Sequence, residues 1–234
     1  MSTKVVVLGG SSGIGEAAAR RFAATGYEVT IASRDHGKLD AALERNPGLA
    51  GILADGTSRE SCDALFKGIG PFDHLVLSLS GGRGAGPFAE LSLGDIRSGL
   101  EAKLFAQLTA LQAALPFVRV SVTFISAATA SAALTGTAGL AAINGAIESI
   151  VRPLAVELAP LRINCVRPGV VDTPWWNNVP KEFKEGAFES TAQSLPVGRV
   201  GRPEDIASAI VMAAENGFMT GTVIDVSGGA TLAR

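Results

Sequence analysis

Short runs of β-branched and other apolar residues alternate along this chain with longer segments whose apolar positions recur at helical spacing. The runs at 4–8, 28–32, 51–53, 72–79, 121–126, 162–166 and 222–226 read as strands. Segments 14–25, 58–68, 91–117, 137–159 and 203–214 read as helices. Several strand runs are apolar throughout rather than alternating, Val5-Val6-Val7-Leu8 being the clearest, which is the pattern of a strand covered on both faces. The pattern predicts an α/β protein, doubly wound, with seven parallel strands and helices on both faces of the sheet. No linker, repeat or shift of composition divides the 234 residues, so one domain over 1–234 is expected.

Composition narrows the picture. Apolar residues make up 47% of the chain and charged residues 18%, a globular balance. A net charge of −2 leaves no basic footprint, so neither nucleic acid nor a membrane surface is an expected partner. Residues 120–147 carry no charge, but Ser, Thr, Gly and Ala crowd them and break them into strand, loop and helix start. They read as buried core and site wall rather than as a membrane span. Cys62 and Cys165 are isolated and His36 and His74 stand far apart, so no disulfide framework and no metal site are expected. With a strand beginning at Lys4 there is little room for a leader, and a cytoplasmic location is expected.

Candidate chemistry begins directly after the first strand, at Leu8-Gly9-Gly10-Ser11-Ser12-Gly13-Ile14-Gly15. Glycine lets the backbone turn sharply and come close to a pyrophosphate, and the helix that follows offers free N–H groups and a positive dipole. Between strand and helix, such a cluster reads as the phosphate-binding turn of a Rossmann fold, with Gly9, Ser11, Ser12, Gly13, Ile14 and Gly15 as its members. Past the second strand, where a carboxylate would hold the ribose of NAD, stand Ser33 and Arg34. A hydroxyl and a guanidinium suit a 2′-phosphate, so NADP(H) is the expected cofactor. The alternative is a solvated arginine beside Asp35.

The spacing Gly-x-x-x-Gly-x-Gly resembles that of the short-chain dehydrogenase/reductase family, and the resemblance runs the length of the chain. Arg167-Pro168-Gly169-Val170-Val171-Asp172-Thr173-Pro174 resembles the segment under the nicotinamide in that family. Gly201-Arg202-Pro203-Glu204-Asp205 and Gly228-Gly229 resemble its C-terminal third. The resemblance implies that Asp55 holds the adenine, that Ser80 and Gly81 follow the fourth strand along the cofactor, and that Pro168, Gly169, Val171 and Thr173 border the nicotinamide. It also implies a small-molecule substrate, a homodimer or homotetramer, and a substrate lid at about 174–198.

The catalytic positions depart from the family. Its tyrosine position falls on Leu140, its lysine on Asn144, its serine on Ala127 beside Ser126, and its asparagine on Lys103. The sole tyrosine, Tyr27, lies near the second strand. Lys103 and Asn144 look like the family's lysine and asparagine exchanged between two helices, which would leave an ammonium near the ribose; otherwise Lys103 faces solvent. Catalytic candidates are therefore Lys103, Asn144 and Ser126, with the Ser126 hydroxyl orienting substrate and Thr129 and Ser131 following in the same loop. Trp175, Trp176, Phe183 and Phe188 in the lid either face an apolar substrate or pack the lid down. The expected function is NADP(H)-dependent hydride transfer to or from a small carbonyl-like compound by a tyrosine-free mechanism. The alternative is a non-catalytic NADP(H)-binding sensor or a structural partner of an active homologue.

Overall fold

The computed structural model describes residues 2–232. In chain order the elements are β1 (Lys4–Leu8), α1 (Gly13–Ala24), β2 (Glu28–Ser33), α2 (His36–Arg45), β3 (Ala50–Leu53), α3 (Arg59–Ile69), β4 (Phe72–Leu77) and α4 (Leu93–Gly99). A π-helical turn, Leu100–Phe105, joins α4 to α5 (Ala106–Ala114). There follow β5 (Val118–Ile125), the short turn Ala128–Ala130, α6 (Ala138–Glu157), β6 (Arg162–Pro168), the turn Pro174–Asn178, α7 (Lys181–Ser194), α8 (Pro203–Glu215) and β7 (Val223–Val226). Among the described residues the strands form one seven-stranded parallel sheet in the order β3-β2-β1-β4-β5-β6-β7.

The all-apolar strands serve two cores at once. Val5 and Val7 point to one side, with Phe22 of α1, Leu39 of α2 and Ile206 and Ile210 of α8. Val6 and Leu8 point to the other, with Phe66 of α3, Ala110 of α5 and Ile147 of α6. The same alternation sends Val76 to the first layer and Leu75 and Leu77 to the second. A strand needs apolar residues at every position only when helices cover both faces, so doubly wound topology follows from the pattern. Chain order reverses between β1 and β4, so the connections that leave their carboxyl ends run to opposite faces of the sheet, the place where ligands bind in open α/β folds.

Three differences from the sequence pattern matter for the site. The segment 91–117 is not one helix but α4 and α5 interrupted by the π turn, which carries Lys103 to the inside. Helix α2 is added, its first turn capped by Asp35, whose Oδ1 accepts from the Lys38 amide at 3.0 Å. Helix α7 is added within the lid segment, and none of its residues is buried. The uncharged stretch 120–147 is divided among β5, the short turn and the first half of α6. Helix α6 is long and apolar enough to cross a bilayer by length and composition, yet Ile143, Asn144, Ile147 and Val151 are buried within the fold.

Candidate active site

The glycine turn is held by backbone contact rather than by side chains. Gly9 adopts a φ of +76°, and a Cβ placed there would stand 2.4 Å from the carbonyl oxygen of Ser78 at the end of β4. A Cβ on Gly15 would stand 2.2 Å from the carbonyl oxygen of Gly9, so helix and turn touch without any room for a methyl group. Ser12 caps α1 with extended backbone and makes no side-chain cap bond, which leaves the first-turn amides facing the crevice. These residues fit a pyrophosphate: glycines stand where backbone meets backbone, and the Ser12 side chain leaves the first-turn amides of α1 uncapped. Thr173 lies against the turn, 3.3 Å from where a Cβ on Gly13 would be. Thr173 thus packs against the glycine turn.

At the far end of the cradle Ser11 Oγ and Ser33 Oγ lie 3.0 Å apart, both buried. The Ser33 hydroxyl also accepts from the Asp35 amide, so it shapes the turn into α2. Arg34 is exposed, and among the described residues it has neither a hydrogen-bond nor an ion-pair partner. Asp55 accepts through Oδ1 from the amide and the hydroxyl of Thr57, bonds that hold its carboxyl below the usual range. Ser80 is exposed, and Gly81 sits against Ala102 on the opposite wall.

Lys103 does not face solvent: it is 8% exposed. Its Nζ donates to Asn144 Oδ1 at 2.7 Å and to the Ser126 carbonyl oxygen at 3.0 Å. The pair that the sequence brought together across two helices is therefore in direct contact. The π turn does this, since its wider winding rotates Lys103 inward where regular helix would present another residue. Burial lowers the Lys103 pKa to about 8, against smaller opposing effects from Cys165 and Glu148.

Ser126 departs from expectation. Its hydroxyl donates to Glu148 Oε1 at 2.7 Å and the residue is 2% exposed, so it enters the lysine cluster through its carbonyl. Glu148 in turn receives Arg167 Nε at 2.8 Å and is bonded again by Arg167 Nη2. Arg167 Nη1 reaches Asp225 at 3.3 Å, and the two carboxylates hold its pKa above the ordinary value. This brace ties α6, β6 and β7 together behind the site. Sequence reasoning passed over Glu148, although a glutamate one helical turn beyond Asn144 in an apolar helix was the available signal.

In the lid, the indole rings of Trp175 and Trp176 meet edge to face at 5.0 Å, and Trp176 meets Phe188 of α7 at 5.1 Å. Trp176 Nε1 donates to the Val171 carbonyl at 3.1 Å, and Lys184 pairs with Asp172 at 2.8 Å while lying over the Phe188 ring. Trp176 and Phe188 therefore pack segment 174–198 onto the fold. Trp175 is 43% exposed, with its indole nitrogen 3.7 Å from where a Cβ on Gly82 would stand, so it spans the crevice mouth.

A family model described as enoyl-(acyl carrier protein) reductase matches residues 9–231. The chain is 30% identical to the short-chain dehydrogenase/reductase ATR9 of Stachybotrys chlorohalonatus, over 97% of this chain and 96% of that protein. A crystal structure of a small-chain dehydrogenase in complex with NADPH superposes with a TM-score of 0.89 at 32% identity, covering 100% of each chain. An NADPH-bound short-chain oxidoreductase from Pseudomonas aeruginosa PAO1, described as containing an atypical catalytic center, superposes with a TM-score of 0.88 at 29% identity, covering 99% of this chain and 97% of that one. With the glycine turn, the seven-stranded parallel sheet and these matches along its whole length, the chain belongs to the short-chain dehydrogenase/reductase family of oxidoreductases.

Proposed function

We propose that the protein is an NADP(H)-dependent oxidoreductase that transfers hydride to or from a small carbonyl-like substrate without a tyrosine. The observation that carries this reading is the buried Lys103 ammonium, bonded directly to Asn144 at 2.7 Å beside the end of β5. Keeping that ammonium out of water costs about 3 kcal/mol at neutral pH, from a pKa lowered from 10.5 to about 8. An ammonium held in a buried position and bonded to both Asn144 and Ser126 supports a working role for it.

Bound NADPH would supply the hydride, and the chain's own residues divide the remaining tasks. The amides around Ser12, Gly13 and Ile14 hold the pyrophosphate, Arg34 pairs with the 2′-phosphate, and Asp55 serves the adenine. Ser80 and Gly81 line the path along β4, while Pro168, Gly169, Val171 and Thr173 border the nicotinamide. Two of the three Lys103 N–H groups are used by Ser126 and Asn144, which leaves one for the ribose hydroxyls. Segment 174–198 acts as the lid that excludes water. Assembly into a homodimer or homotetramer belongs to the same reading, and it would cover Phe105 and Val156, both exposed in the single chain.

Leu140 at the tyrosine position favours a second reading, a sensor or structural partner that binds the dinucleotide without turnover. Fluorescence titration with NADPH and with NADH, followed by NADPH oxidation with carbonyl, imine and activated-alkene compounds, separates the two. The first reading expects tight NADPH binding, weaker NADH binding, and turnover that Lys103→Met lowers by about 100-fold. It also expects Arg34→Ala to weaken NADPH by about tenfold or more while leaving NADH nearly unchanged. Tight binding with no turnover selects the second reading. No binding of either cofactor overturns both.

A further inference from the structure

The hydrogen-bonded chain that begins at Lys103 extends beyond Asn144. Asn144 Oδ1 accepts from Lys103, while Nδ2 donates to the Leu140 carbonyl at 2.9 Å and to Thr129 Oγ1 at 3.1 Å. Every polar atom of that amide is occupied, which fixes its orientation. Thr129 Oγ1 therefore acts as an acceptor toward Asn144, and its own proton must point elsewhere. Among the described residues nothing accepts that proton. A hydroxyl that accepts a hydrogen bond is a stronger donor, and here the polarising chain starts at an ammonium.

The other loop hydroxyls are less suited. The Ser126 hydroxyl is committed to Glu148, and Ser131 is exposed beyond the turn. Thr129 lies in the turn Ala128–Ala130, half-buried, just past the carboxyl end of β5 where the crevice opens. Leu140, which stands where a phenol would otherwise meet the substrate, offers no donor.

We propose that Thr129 is the hydroxyl that hydrogen-bonds the reacting heteroatom, and hence that the substrate is a carbonyl compound with a lone pair to accept it. The inference rests on the oxidoreductase reading above. As hydride from the reduced nicotinamide forms the new C–H bond, the π electrons of C=O move to oxygen. Thr129 holds the developing oxyanion through O–H···O and keeps its own proton; the product alcohol takes its proton from water.

The test uses NADPH with two probes: phenanthrenequinone, whose oxygens accept hydrogen bonds, and an N-methyl dihydroisoquinolinium, whose cationic C=N has no lone pair. Thr129→Val removes the hydroxyl at nearly constant shape, and Thr129→Ser restores it. In Thr129→Val, kcat/KM for the quinone is expected to fall about 100-fold and that for the iminium by less than about threefold. NADPH affinity should hold in both variants, and Thr129→Ser should recover most of the quinone rate. Equal losses on both probes, or lost NADPH affinity, would make Thr129 a packing residue and overturn the proposal. Undiminished quinone turnover in Thr129→Val, or a wild type that reduces the iminium alone, would also overturn it. A wild type that binds NADPH yet reduces neither probe fails at the oxidoreductase reading itself, and this inference falls with it.

Discussion

Lys103 is charged at neutral pH by a narrow margin, because burial brings its pKa to about 8. As the ammonium it donates to Asn144 and Ser126 with a third N–H to spare; as the amine it loses a donor and the charge that polarises Asn144. The acid form is the competent one, so kcat/KM is expected to fall as pH rises through about 8. A pH–rate profile checks this, and the residual activity of Lys103→Met should lack that limb. Persistence of the limb in the variant would assign the titration to another group. At this scale the sequence was informative about identity and weak about orientation. Lys103 and Asn144 were legible as an exchanged pair, but nothing local said that the Ser126 hydroxyl turns to Glu148 or that the Asn144 amide donates to Thr129.

Among the elements, the interruption between α4 and α5 decides whether Lys103 is a surface lysine or a buried one. Hydrophobic periodicity reads through such a turn because it shifts the phase of the helix without ending it. Helix α2 was legible and passed over: Asp35 as a cap before Leu39 and Ala42 is a start signal. Strands β4 and β5 carry a separate consequence. His74 is 5% exposed, its Nδ1 lies 2.8 Å from Ser121 Oγ, and burial lowers its pKa to about 4. The folded state therefore prefers neutral imidazole. Below the unfolded value of 6.5 the unfolded chain gains a proton that the folded chain refuses until about pH 4, so stability falls across that window, by about 3 kcal/mol. Urea denaturation at pH 7 and pH 4.5 should show a larger loss for the wild type than for His74→Gln. Equal losses would place the acid sensitivity elsewhere.

For the whole molecule, the parallel sheet places the glycine turn, the Lys103 cluster and segment 168–173 at the carboxyl ends of β1, β5 and β6, along one edge of the sheet. Segment 174–198, which follows, is lightly anchored. Helix α7 buries none of its residues and is tied down mainly through Trp176, Phe188 and the Lys184–Asp172 pair. Amides of 181–194 should exchange with deuterium faster than those of α1 or α6, and NADPH should slow them if cofactor binding closes the lid. Exchange unchanged by NADPH would mean that the lid answers to substrate alone. By itself the sequence determined the parallel sheet and the glycine turn. Those rest on local rules: apolar strands covered on both faces, and glycines where backbone meets backbone. Only the tertiary structure decided which partners the loop hydroxyls take, how deeply Lys103 is buried and what braces it. Such properties depend on contacts between residues far apart in the chain, Lys103 with Asn144 and Glu148 with Arg167, which no local pattern encodes.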